Sequence, residues 1–209
     1  MLGQLHIAVL VSGSGSNLQA LLDAQMNGVL HSGRIALVIS DNQDAYALQR
    51  AEAAGVQTLA FDRKTLGPVQ VEQNILTALQ KRQIDLIVLA GFLMILSSEF
   101  IMHYTGRIIN VHPSLLPAFG GKGYYGLKVH RAVLERGVKL SGATVHLVSE
   151  EPDGGPILMQ KAVRVLKNDT PEKLQQRIMH QAEWHILPRA TQMLCKQLLK
   201  EAHGEKHAT

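Results

Sequence analysis

The sequence is poor in the residues that would mark a disulfide-bonded, metal-bound or base-stacking protein. Its one cysteine, Cys195, excludes an internal disulfide and any cysteine-rich metal site. On a C-terminal helix a buried thiol is the ordinary reading of it. Aromatic residues make up 4% of the chain, too few for a surface that stacks bases. Lysines and arginines are scattered rather than clustered, so nucleic acid is not an expected partner. The ten histidines show no HxH or HExxH spacing, and no metal site is expected. No apolar run approaches the roughly 20 residues needed to span a bilayer. The opening MLGQLHIAVLVSG has no basic start and no small-residue cleavage site, so it reads as a first strand rather than a signal peptide. These absences suit a reducing, cytoplasmic setting. Charge decides less. A net charge of +4 and a pI near 9.3 suit small anionic substrates, and serve equally well only to keep a chain soluble.

What is present is a regular alternation. Leu5 to Val11 reads as a strand that runs into SGSGSN. A helix follows, with Leu18, Leu21, Leu22 and Met26 on one face, ended by Gly28 and Gly33. Ile35 to Ser40 is a second strand, and Asp41 to Gly55 holds a short helix with a glycine cap. Val56 to Phe61, Pro68 to Gln83 and Asp85 to Ala90 give strand, helix and strand, the last apolar enough to be buried on both faces. Ser97 to Tyr104 is a short helix and Arg107 to His112 a fifth strand. AFGGKGYYGLKVH, Ala118 to His130, reads as a mobile surface loop leading into a helix over Leu127 to Arg136. Ala143 to Ser149 and Ile157 to Val165 alternate like an antiparallel pair joined by EEPDGG. Thr170 caps a last helix with Pro171 at its first position, and Pro188 predicts a bend or break. The fold class is therefore α/β: a mostly parallel, Rossmann-like twisted sheet with helices on both faces and a C-terminal antiparallel strand pair. With no repeat and no linker, one domain is expected over residues 1–200 and a disordered polar tail over 201–209.

Three stretches carry chemistry. In IINVHPSLLP a buried strand ends in Asn110 and His112, two residues apart and so facing one space. Open parallel sheets place their sites at such carboxyl ends. Both are also ordinary strand-end residues. Gly13, Gly15, Ser16 and Asn17 form a glycine loop between strand and helix, which offers backbone N–H groups to a phosphate. Leu18 stands where the third glycine of a dinucleotide fingerprint belongs, and GK[ST] is missing, so a phosphate monoester fits better than NAD or ATP. An Asn-capped turn is the plain alternative. Asp153 precedes Gly-Gly and is first of all a hairpin turn, but the turn would also aim a carboxylate at His112. His146 shares a strand face with Thr144 and Val148, where a satisfied structural histidine is the simpler reading.

SGSGSNLQALL, LAGFLMILS, INVHPSLLPAF, GATVHLV and EEPDGGPILMQ, in this order, resemble the folate-dependent formyltransferase family, and within it the branch that acts on glycinamide ribonucleotide. The resemblance spans about residues 5 to 190. It implies one formyltransferase catalytic domain in de novo purine biosynthesis, with 10-formyltetrahydrofolate as co-substrate, glycinamide ribonucleotide as acceptor, no permanently bound cofactor and no metal. Membranes and nucleic acid play no part, and the protein is a monomer or homodimer. The family's catalytic trio falls on Asn110, His112 and Asp153. Phosphate and ribose positions fall on Gly15, Ser16, Asn17 and Glu183, and folate positions on Met94, Leu96, Ile108, Val148 and Asp153. His146 is a supporting residue. Two departures stand out: Met94 where many members have arginine, and the long FGGKGYYGLKVH stretch. Arg63, Lys64 and Lys122 stay open between substrate contact and solvent. The rival readings are a deformylase with water as acceptor, a dinucleotide-dependent oxidoreductase using Asp41, and a non-catalytic binding module.

Overall fold

A computed structural model describes residues 3–204. Seven strands form one sheet in the order β3-β2-β1-β4-β5-β6-β7. The strands are β1 Leu5–Val11, β2 Gly33–Ser40, β3 Gln57–Ala60, β4 Leu86–Leu89, β5 Ile108–His112, β6 Leu140–Leu147 and β7 Ile157–Arg164. β1 to β5 are mutually parallel, β6 runs antiparallel to β5, and β7 antiparallel to β6. The expected fold class is the observed one. The chain leaves β1 outward to β2 and β3 and then returns to β4, so the sheet order reverses between β1 and β4. Ligands of open α/β sheets gather outside the strand ends at such a reversal.

Every residue of β4 is buried, as an apolar strand covered on both faces should be. One face carries Ile7, Val9, Val11, Val88, Ile109 and Val145. It is covered by α1 (Ser16–Met26), α2 (Tyr46–Ala53), α6 (Leu127–Arg136), α7 (Pro171–Ile178) and α8 (Trp184–Ala202). The opposite face carries Leu10, Leu37, Ile39, Ile87 and Ile108, under α4 (Pro68–Lys81) and α5 (Ser98–His103). A short α3 (Arg63–Leu66) leads into α4, with Asp62 accepting a hydrogen bond from the Lys64 N–H as its cap. Fully buried Cys195 of α8 sits against β2, where a Cβ on Gly33 would come within 2.7 Å of its sulfur. Burial pushes this thiol up to about 12.

Several expected boundaries shift. Leu18, Leu21 and Leu22 are buried, but Met26 is 79% exposed. α1 ends at Met26, and the chain turns through Gly28 at φ 73° before the last turn can close on the core. Thr170 does cap α7, accepting from the Lys173 N–H. Of the bend or break expected at Pro188, the break is absent: α8 passes through the proline. The irregularity lies earlier, as a π turn over Met179–Glu183. Proline has no N–H and its ring crowds the carbonyl four residues back, here Trp184, and the widened turn immediately precedes that residue. Helix continues through Ala202, two residues into the expected tail. Residues 205–209 of that tail lie outside the described residues.

Candidate active site

Asn110 and His112 leave β5 on the sheet face that α4 and α5 cover further along. Antiparallel β6 sets His146 opposite Asn110 and Thr144 opposite His112. After β6 the chain doubles back over this face instead of continuing outward. Gly155 makes the reversal possible, because a Cβ there would lie 1.9 Å from the Leu147 carbonyl oxygen. Asp153 occupies the turn at φ 58°, a left-handed conformation that Asp adopts more readily than most residues.

Four side chains meet as a result. Asp153 Oδ2 is 3.3 Å from His112 Nδ1, and its Oδ1 is 3.5 Å from His146 Nε2. Asn110 Nδ2 is 3.2 Å from His146 Nε2. The His146 Nδ1–H donates to the Leu147 carbonyl at 2.9 Å, and its Nε2 lies within reach of both the Asn110 amide and Asp153 Oδ1. The second Asn110 N–H is left for the cleft. His112 Nε2–H donates to the Phe119 carbonyl at 2.8 Å, and the Gly121 N–H donates to Asp153 Oδ2 at 2.9 Å. The long loop expected on the surface therefore begins inside the site, holding both ends of the His–Asp pair through its backbone.

His112 is 4% exposed. Burial pulls its imidazole below the ordinary value, against the Asp153 carboxylate and the Phe119 carbonyl, which favour the charged ring. Burial acts to raise the Asp153 carboxyl. The His146 hydrogen bond, the His112 charge and the Gly121 N–H outweigh it and hold Asp153 below its usual range. Both His112 nitrogens face oxygens, so only the doubly protonated ring gives each of them a proton. A negative charge arriving nearby would offset the burial and favour that form.

A cleft of about 120 Å³ opens beside this cluster, lined by Asn110, His146, Asp153, Met94, Leu96 and Val148. Ile108 does not line it. Its side chain is 1% exposed in the core beneath, and its carbonyl accepts from the Val148 N–H at 2.8 Å. Phe92 and Ile95 also line the cleft and escaped the sequence reading, although they flank Met94. Nothing in the sequence marks the Phe119 carbonyl.

The glycine loop forms the second group. Gly15, at φ 73°, caps α1, and a Cβ there would lie 2.6 Å from the Ala47 Cβ on α2. Asn17 Nδ2 donates to Glu183 Oε2 at 2.6 Å, an approach made by the π turn. Glu183 is 6% exposed, and burial pushes its carboxyl up to about 7, with Asn17 opposing. Asn17 Oδ1 is buried without a partner. No hydrogen bond joins this pair to the His112 cluster among the described residues. The loop does reach the cleft wall, because Ser12 Oγ accepts from the Leu93 N–H at 2.9 Å. Arg63 pairs with buried Asp41 at 3.5 Å, and Lys122 is exposed. Among the described residues no group of three His, Cys, Asp or Glu is placed to hold a metal, and no helix is long and apolar enough to cross a membrane.

The formyl transferase family model matches residues 5–191. A relative from Arabidopsis thaliana, a chloroplastic phosphoribosylglycinamide formyltransferase, is 39% identical over 196 residues, 93% of this chain and 66% of the relative. The phosphoribosylglycinamide formyltransferase of Escherichia coli (strain K12) is 39% identical over 85% of this chain and 81% of its own. The crystal structure of glycinamide ribonucleotide transformylase 1 from Symbiobacterium toebii superposes with a TM-score of 0.86 at 42% identity, covering 93% of this chain and 89% of that one. The chain spans just under two thirds of the plant relative.

Proposed function

Because the chain belongs to the formyl transferase family, we propose that it transfers the formyl group of 10-formyltetrahydrofolate to the amine of glycinamide ribonucleotide, a step of purine biosynthesis. The names of its relatives support the substrates. The observation that carries the reading is the His112–Asp153 contact, with Asn110 and His146 beside it at one end of an apolar-walled cleft.

The amine attacks as the neutral form, since an ammonium has no lone pair. Its nitrogen bonds to the formyl carbon, and the carbonyl electrons move to oxygen. The oxyanion takes the free Asn110 N–H, and the positive charge of a protonated His112, held between the Phe119 carbonyl and Asp153, stabilises it through space. The Phe119 carbonyl claims the Nε2–H, so Nδ1 is the nitrogen that meets Asp153 and can exchange a proton there. His112 enters the step already protonated, the form that the growing negative charge favours. Asp153 then accepts the proton of the attacking nitrogen, directly or through water, and passes it toward the leaving folate nitrogen. Collapse restores the carbonyl and releases tetrahydrofolate and the formamide. No metal takes part in the proposed steps. Alignment of two bound substrates supplies much of the rest.

Gly15, Ser16 and Asn17 hold the phosphate in this proposal, through backbone N–H groups at the start of α1. Glu183 takes the ribose hydroxyls, and the unpartnered Asn17 Oδ1 supports a ligand there. Met94, Leu96 and Val148 wall the folate, with Ile108 acting from below through packing. Met94 offers apolar contact where an arginine would offer charge. One catalytic domain over residues 1–200, a cytoplasmic setting and a monomer or homodimer complete the proposal. The unpaired cysteine supports the setting.

The test is absorbance-monitored turnover of 10-formyltetrahydrofolate by purified protein, with and without glycinamide ribonucleotide. Turnover that requires the ribonucleotide is expected. Turnover with water alone would make the protein a deformylase, and none in either case would remove the assignment.

A further inference from the structure

We propose that the groove between α1 and α8, adjoining the glycine loop but outside it, is a second binding site that takes a nucleoside monophosphate. The groove encloses about 410 Å³, in the range of small-molecule sites. Ser16, Gln19, Ala20, Asp23 and Ala24 line it. These positions run down one face of α1, so the groove leads away from the helix start. Among the phosphate and ribose residues assigned above, only Ser16 touches it.

Its chemistry is mixed in a particular way. Ala20, Ala24 and Pro188 give an apolar floor, and Arg50, His185 and Arg189 line the rim. The one carboxylate, Asp23, is already occupied as acceptor from Gln19 Nε2 at 2.9 Å. Arg189 is exposed and, among the described residues, in no ion pair. Trp184 lines the groove and packs its ring on His180 at 4.2 Å between centroids. Its buried indole N–H has no partner. An aromatic wall favours a flat ring. Two guanidinium groups from different helices suit a phosphate dianion better than a single carboxylate.

The groove has two mechanical links to the glycine loop. Arg50 donates from Nε to the Ser14 carbonyl at 2.8 Å and from a terminal nitrogen to Gln19 Oε1 at 3.1 Å. Trp184 directly follows Glu183, the partner of Asn17. An occupant that draws on Arg50 or Trp184 therefore changes affinity at the loop. This coupling rests on the phosphate reading under Proposed function, whereas binding in the groove does not.

Trp184 is the chain's only tryptophan, so intrinsic fluorescence reports on the groove directly. The full chain is titrated with adenosine and inosine monophosphate, with inorganic phosphate as comparison. A saturable change with either nucleotide is expected, weakened at least about tenfold in Arg189→Glu and kept in Asn17→Ala. No saturable change would overturn the proposal. So would a change lost in Asn17→Ala and untouched in Arg189→Glu, which would put the nucleotide in the glycine loop. Saturating nucleotide should also shift KM for glycinamide ribonucleotide in the wild type and not in Arg189→Glu. An unchanged KM with binding intact would overturn the coupling alone. If the turnover assay fails while the fluorescence result holds, formyl transfer falls and the groove site stands.

Discussion

At the carboxyl edge of the sheet, two groups of polar side chains are buried in opposite ways. Around His112 nearly every polar atom has a partner: Asp153 faces two imidazoles and a backbone N–H, and His112 faces a carboxylate and a carbonyl. Around Glu183 a single hydrogen bond from Asn17 serves a carboxyl that is almost wholly enclosed, and the Asn17 oxygen has no partner. The first group is organised before any substrate arrives, as electrostatic stabilisation of a transition state requires. The second is under-satisfied, which is costly in isolation and suited to a ligand that brings hydroxyls. One arrangement should govern rate and the other affinity.

The sharpest way to break that contrast is at the tied cluster. His112→Ala and Asp153→Asn are each expected to lower kcat by several orders of magnitude with KM little changed. A near-wild-type kcat in either would remove its role. Asn110→Ala removes one oxyanion donor, and a loss of roughly 100- to 1000-fold in kcat is expected. At the loose pair, Asn17→Ala should raise KM for the ribonucleotide by about tenfold with kcat kept, because it removes both the Oδ1 acceptor and the partner that holds Glu183. An unchanged KM would remove the Asn17 side chain from ribonucleotide binding.

Two finer measurements separate the groups by their protons. The imidazole of His112 should titrate below its ordinary 6.5 in an NMR pH series, and lower still in Asp153→Asn, because that change removes the carboxylate that opposes burial. A rise in the variant would contradict the geometry. For Glu183 the folded carboxyl stands at about 7 against 4.5 for the free group. The folded state therefore binds this proton more tightly, and the stability it contributes is complete below pH 4.5 and lost as pH climbs to about 7. Glu183→Gln should remove that decline and raise Tm at pH 8 by several degrees, while weakening ribonucleotide binding. A lower Tm at pH 8 would mean the buried carboxylate is better satisfied than its one hydrogen bond suggests.

Much of the fold was legible because local patterns sufficed. β1 and β4 are apolar runs, Thr170 and Pro171 announce a helix start, and the alternation after Ala143 marks the antiparallel strands. The glycine loop and the strand end at Asn110 and His112 were legible for the same reason. Met26 misled because helical spacing cannot tell where a helix stops. Pro188 did not bring a break because the helix absorbs it beside a π turn upstream. The turn through Asp153, Gly154 and Gly155 was legible and allowed a carboxylate to be aimed at His112, but that Asp153 also meets His146 depends on how the reversal folds over the sheet, which local pattern does not fix. The hold of Phe119 on His112 runs through a backbone carbonyl, which any residue possesses, so side-chain identity carries no trace of it.

The buried thiol has a practical consequence. Cys195 lies under β2 with its ionisation suppressed, and alkylating reagents attack the thiolate. Labelling must wait until α8 lifts from the sheet, and its rate under native conditions then counts those openings. The same helix begins at Trp184, next to the buried Glu183. A single-cysteine chain thus carries its own clock for how often the floor beneath the loose pair comes apart, and a bound ribonucleotide should slow it.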